Sequence, residues 1–275
     1  INEWSEYKNF LNVNWYFYGR FNRFQYFKYI ILKYKDNINN ISYERINYDK
    51  NKDNTLIFID DRFDELFKYI LILFLYSIDN TWNLRIYTTK DNIKYYKQLL
   101  EEINVSAKIL EIDNLKTKND YSNLLKNYKF WENINESFCL IFQLDSISFQ
   151  KFDKSFFKYN YLGARWPENI TQLKGIYNGN GGTSFRNVRK MEYISKKYNK
   201  NEYKLNSSGY NLPEDVYFCK HLNKEGLSTV DFDILDRFSF ECIFNENSIY
   251  GHAIYESIDL VYLEEYIIKR LYKIF

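Results

Sequence analysis

The chain has 275 residues, 45% of them hydrophobic and 27% charged, with a formal net charge of +2. These values suit one large domain or two small ones and exclude a disordered chain, a collagen-like repeat and a disulfide-stapled miniprotein. They also give no electrostatic footprint for nucleic acid, where a strongly basic domain is expected. Phe, Tyr, Ile, Asn, Lys and Met fill just over half of the chain, while Gly is held to 9 and Pro to 2. AT-rich codons account for that bias, so the abundance of Lys or Tyr says little and the scarce residues say more.

Residues 1–53 read as an N-terminal helical arm followed by a linker. Trp15, Tyr18, Phe21, Phe24 and Lys28 recur at three- and four-residue steps, which predicts a helix to about Asp36. Its aromatic face is expected to dock on the main domain. The alternative use of its basic stripe is a membrane-surface or partner helix. The polar stretch 36–54 reads as the linker, and 54–275 as a second unit. There, apolar runs at 56–59, 84–88, 107–112 and 138–143 read as strands, with helical patterns at 64–78, 93–103 and 121–128 between them. Strands alternating with helices predict an α/β domain with a largely parallel sheet. Ligands in such sheets sit beyond the carboxyl ends of the strands. Asp60, Asp61 and Asp145 therefore fall where a site belongs.

The second half is less regular and holds most of the glycines and both prolines. Helices are expected at 187–198 and 214–225, and an amphipathic one at 257–275 with Leu260, Leu263, Ile267, Leu271 and Ile274 on one side. Cys139, Cys219 and Cys242 are odd in number and lie in apolar stretches, which predicts buried free thiols. No signal peptide is visible, and the first residue, Ile1, reads as the start of a piece of a longer protein. The longest apolar run, 69–76, has eight residues, far short of the roughly twenty a membrane span needs.

Four segments could carry chemistry. Asp145 directly follows a strand and is either a cation ligand or a turn former. Asn178-Gly-Asn-Gly-Gly182 places three glycines in four positions, so its backbone turns sharply or is approached closely. It could bind an anion or sugar hydroxyls, with Arg186 in reach, or serve only as a turn before the next helix. Pro213-Glu214-Asp215 is a helix start, and one of its acids could face a cleft as a general base. His252, after Gly251, is either a ligand contact or an ordinary loop histidine, whereas His221 reads as structural.

In this order, Ile59-Asp-Asp-Arg62, Phe142-Gln-Leu-Asp-Ser146, Tyr161-Leu-Gly-Ala-Arg-Trp166, Asn178-Gly-Asn-Gly-Gly-Thr-Ser-Phe-Arg186, Pro213-Glu-Asp-Val-Tyr-Phe218, Phe238-Ser-Phe-Glu241 and Gly251-His-Ala253 resemble GT-A-like glycosyltransferases of large DNA viruses and some bacteria. The resemblance covers roughly 55–256. It implies a GT-A-like, Rossmann-like α/β fold with a mixed, mostly parallel sheet flanked by helices. It implies transfer from a nucleotide-sugar donor, of UDP type, to a glycan, protein or other hydroxyl acceptor, with inversion. Asp215 would be the base. Asp60, Asp61, Arg62, Gln143, Asn180, Gly181, Gly182, Arg186 and Glu214 would contact donor or acceptor. Asp145 and His252 would hold Mn²⁺ or Mg²⁺, although Gln143 stands where such enzymes place the first acid of an Asp-x-Asp pair. The expected location is the cytoplasm, that of a host if the source is a virus. The rival reading is an inactive transferase-like module that binds carbohydrate or assembles with partners. A phosphate-handling α/β enzyme is a weaker one, since no phosphate-binding Gly-rich loop ending in Lys-Ser/Thr is present.

Overall fold

The computed structural model describes residues 19–168, 175–198, 212–228 and 230–275. Trp15 and Tyr18 of the expected first helix lie outside them. The helices are α1 (Gly19–Lys33), α2 (Lys35–Asn39), α3 (Leu66–Ser77), α4 (Ile93–Glu102), α5 (Lys118–Leu125), α6 (Tyr128–Glu132), α7 (Val188–Lys197), α8 (Glu214–Lys224), α9 (Phe232–Phe238) and α10 (Leu260–Leu271). The strands are β1 (Asn54–Ile59), β2 (Trp82–Thr88), β3 (Lys108–Glu111), β4 (Phe138–Phe142), β5 (Ser146–Ser148), β6 (Tyr161–Leu162), β7 (Ser184–Asn187), β8 (Ser239–Phe240) and β9 (Tyr250–His252).

Six strands form one sheet in the order β3-β2-β1-β4-β7-β6. The first four are parallel, β7 runs antiparallel to β4, and β6 runs antiparallel to β7 at the sheet edge. This is the mixed, mostly parallel α/β sheet, flanked by helices, that the alternating pattern predicts. β1 and β4 are near-continuous apolar runs because both faces are covered. Leu56, Phe58, Leu140 and Phe142 point into one core with α3, while Ile57, Ile59, Cys139 and Ile141 point into the other with α7 and α8. The chain leaves β1 toward β2 and β3 on one side, and β4 lies on the other. The strand order therefore reverses at the β1–β4 boundary, and a crevice opens there at the carboxyl ends. A small second sheet, β5-β9-β8, stands beside this edge.

The stretch read as a linker is anchored by Ile38, Ile41 and Ile46, which are buried, with mostly exposed residues between and after them. α1 lies against α3, α10 and the 254–256 turn, with Phe27, Ile30 and Ile31 fully buried. α3 is thus apolar on most sides because the sheet covers one face and α1 another. Cys139 and Cys219 are buried free thiols as expected, but Cys242 is exposed: its apolar neighbours belong to the turn after β8, not to a core strand. Among the described residues no helix is long and apolar enough to cross a membrane.

Candidate active site

A cleft of about 1240 Å³ opens over the carboxyl ends of β1 and β4. Sites for one small molecule occupy about 300–1,000 Å³, so two substrates can share it. Arg62, Gln143, Asp145, Asn180, Gly181, Gly182, Glu214, Asp215 and His252 all line it. Residues far apart in sequence are brought to one edge by the strand order.

On one side, β9 brings His252 to Asp145. His252 Nε2 is 3.2 Å from Asp145 Oδ1 and 3.2 Å from Gln143 Oε1. Its Nδ1 is 3.2 Å from Glu241 Oε1, an ion-pair distance without hydrogen-bond alignment. The Tyr255 hydroxyl donates to Asp145 Oδ2 at 3.0 Å. Burial alone would push Asp145 up. The charge and hydrogen bond of His252, with the Tyr255 bond, instead hold it at about 2. Burial opposes the charge on His252, but Asp145 and Glu241 raise it to about 10. The ring is thus an imidazolium between two carboxylates at neutral pH. Ala253, directly after it, has a left-handed φ of +44° and donates its N–H to the Asp145 carbonyl at 2.9 Å. This strained position fixes the direction of His252.

On the other side, Pro213 occupies the N-cap of α8, one position earlier than a helix-opening proline, so the helix begins at Glu214. Glu214 is buried and pairs with Arg186 through two hydrogen bonds of 2.7 and 3.0 Å. Arg186 has no exposed surface and bonds Glu214, Ser184 and the Gly181 carbonyl. It lies beneath the glycine segment as a support and does not reach a ligand in the cleft, contrary to the role the resemblance implies. Asp215, the next residue, is turned the other way. Its Oδ2 accepts from the Gly181 amide at 3.2 Å and its Oδ1 from the Val216 amide at 2.7 Å. Burial first, and the neighbouring Glu214 charge second, raise Asp215 to about 7.

Gly181 and Gly182 bridge the two sides. A Cβ on Gly181 would stand 2.2 Å from Glu214 Oε1, and one on Gly182 2.0 Å from His252 Nε2. Neither glycine has a positive φ, so close approach and not a sharp turn requires them. Asn180 caps the segment, accepting from the Gly182 amide at 2.9 Å and donating to Glu241.

At the end of β1 the acids are engaged in local structure. Asp60 accepts from the backbone and side chain of Arg62. Asp61 accepts from the Leu115 amide at 2.8 Å and holds the loop after β3. Of the three, only Arg62 lines the cleft. Burial raises Asp60, against the opposing pull of Arg62. Glu241, Tyr255, Tyr121, Lys118, Arg20 and Phe24 also line the cleft, a place the sequence did not foretell for them. Glu241 does end the Phe238-Ser-Phe-Glu241 segment, and Arg20 and Phe24 belong to the basic and aromatic sides of the arm.

A divalent cation needs several oxygen or nitrogen donors converging on one point. Among the described residues no group of three or more His, Cys, Asp or Glu side chains does so. Asp145 and His252 lie 3.2 Å apart, two donors and not the several that a cation held by the protein alone would need.

Residues 104–252 match the model of a family described as protein of unknown function (DUF5672). That span is more than half of the chain, and the chain belongs to this family. No curated protein matches it. The solved structures similar to it include two transferases. One is 4-diphosphocytidyl-2C-methyl-D-erythritol synthase from Anaerococcus prevotii, with a TM-score of 0.37 and 10% identity over 63% of this chain and 96% of that one. The other is the apo-form glycosyltransferase GlyE of Streptococcus pneumoniae, with a TM-score of 0.46 and 14% identity over 83% of this chain. The match spans 64% of that glycosyltransferase. At these scores the likenesses carry no inference about function.

Proposed function

We propose that the cleft transfers a sugar from a nucleotide-sugar donor of UDP type to an acceptor hydroxyl, with inversion. The observation that carries this reading is Asp215. It is a cleft-lining carboxylate tied to the Gly181 amide and raised to about 7. A general base works best with a pKa near the working pH. Asp215 takes the proton of the acceptor hydroxyl as the oxygen attacks the anomeric carbon and the diphosphate departs from the opposite face. One base suffices for inversion, so Glu214 is free to serve as the partner of Arg186. Arg62 and the first turn of α5 flank the place for the nucleotide beyond β1, and Asn180 to Gly182 border the sugar.

The test is a transfer assay over a panel of nucleotide sugars and saccharide acceptors, with Asp215→Asn beside the parent chain. The variant is expected to lose about 10²–10⁴-fold in kcat, the usual worth of a positioned base, with donor affinity retained. Wild-type turnover in the variant would remove Asp215 from the role. The second reading, an inactive carbohydrate-binding module, draws on Gln143 standing in place of an acid. It requires saccharide binding with no turnover of any donor.

A further inference from the structure

A departing diphosphate carries several negative charges, and the cleft must offset them. Among the described residues four cationic groups line it: Arg20, Arg62, Lys118 and the His252 ring. His252 lies between Asp145 and Glu241, which already offset its charge. Arg62 is 78% exposed, but it is held by Asp60 at 3.1 Å and lies 3.9 Å from Asp61. Lys118 sits in the first turn of α5, on the nucleotide side. Arg20 differs in its surroundings. It comes from α1, outside the span that defines the family, and reaches the cleft beside the Asp145–Tyr255 pair. Its contact with Glu256 runs through Nε at 3.3 Å, and its side chain stays 56% exposed. Burial opposes the Arg20 charge, and Tyr255, then Glu256 and Asp145, favour it and raise the group overall. Asp145 already faces His252 through Oδ1 and Tyr255 through Oδ2, so its charge is not Arg20's alone.

We propose that Arg20 is the diphosphate-binding residue of the cleft, a guanidinium brought by the N-terminal helix to the phosphates of a nucleoside diphosphate. The inference rests on the transferase reading and adds its phosphate contact. A planar guanidinium suits two phosphate oxygens at once, which an ammonium does not. Glu256 holds Arg20 near the site in the absence of ligand and competes with the phosphates for it.

Binding of inorganic pyrophosphate and of UDP, GDP, CDP and ADP is measured by calorimetry on the full chain, in EDTA and again with Mn²⁺. Arg20→Ala is expected to weaken pyrophosphate and the best nucleotide at least tenfold in both buffers, while Arg20→Lys recovers part of the loss. Affinity for the matching nucleoside, which has no phosphate, stays unchanged. Glu256→Gln is expected to tighten nucleotide binding several-fold, because the competing carboxylate is gone. A merely structural ion pair would weaken binding in both variants alike, and that result overturns the proposal. So does a change below twofold in Arg20→Ala while the parent chain binds. If the parent chain neither binds any of these probes nor transfers sugar, the transferase reading itself fails.

Discussion

Asp215 and His252 lie on either side of two glycines and titrate in different pH ranges with the same sign. The folded chain holds Asp215 at about 7 against an ordinary 3.8, so over that range the folded state binds the extra proton. Its contribution to stability is full below about pH 4 and is lost as pH rises through about 7. His252 is raised from 6.5 to about 10, so its contribution is full below about 6.5 and is lost as pH rises through 10. Asp145, lowered to about 2, contributes above 3.8 and loses that only as pH falls through 2. The Asp215 window lies above that of Asp145 and overlaps that of His252 only between about 6.5 and 7. Thermal melts at a series of pH values should show Asp215→Asn losing part of the decline in Tm between pH 4 and 7, with the alkaline limb unchanged. An unaltered slope in that window would remove the raised Asp215 from the account. Activity runs the other way: kcat/KM should rise with pH around an apparent pKa near 7, because the base must be ionised.

At the scale of single elements, the glycine segment does more than border a ligand. Gly182→Ala pushes a methyl group into the His252 ring, which Ala253 and two carboxylates hold in place, so the segment and not the ring has to move. Turnover is expected to fall at least tenfold, with the far-ultraviolet circular dichroism of the parent retained. Parent-level activity would show that the segment tolerates displacement. The buried Arg186–Glu214 pair beneath it links β7 to α8. Arg186→Met leaves a buried carboxylate unpaired and should cost about 3–5 kcal/mol in thermal or chemical unfolding. These elements differ in how far they can be read from sequence. β1 and β4 announce themselves as apolar runs ending in acids, and the helix at Glu214 by its proline and paired acids. β5 through β9 have only two to four residues each, too few for a period to show. β7 hides Arg186 in a strand that reads as the tail of a loop. The Gly-rich segment signals close approach, but not that His252 and Glu214 are what approach it. Arg85 and Glu136, a fully buried pair at 2.7 Å, leave no sequence signal because one lies on β2 and the other just before β4, and only the sheet order brings them together.

For the molecule as a whole, the part that defines the family is not the part that completes the fold. The family span, 104–252, contains β3 and β4 but neither β1 nor β2, which lie between them in the sheet. It also omits α3, which covers one face, and α1, which covers α3 and carries Arg20. The arm was legible as a helix with an aromatic face. That it also forms a wall of the cleft was not, because a basic stripe on a surface helix is ordinary and only tertiary packing aims it. The Tyr255 ring shows the connection: Phe24 and Phe27 pack on it at centroid distances of 6.0 and 5.9 Å, Arg23 donates to its carbonyl at 2.7 Å, and its hydroxyl holds Asp145. A fragment of residues 104–252 would have to close a sheet whose two remaining parallel strands are not neighbours, with Phe142 and Leu140 facing solvent. It should show no cooperative thermal transition and no dispersed amide spectrum, while the full chain shows both. In the full chain, Phe27→Ala should cost about 3–5 kcal/mol, as for other buried aromatic truncations, and should also weaken nucleotide binding through Tyr255 and Asp145. A loss of stability with unchanged nucleotide affinity would separate the arm's packing from the site it adjoins.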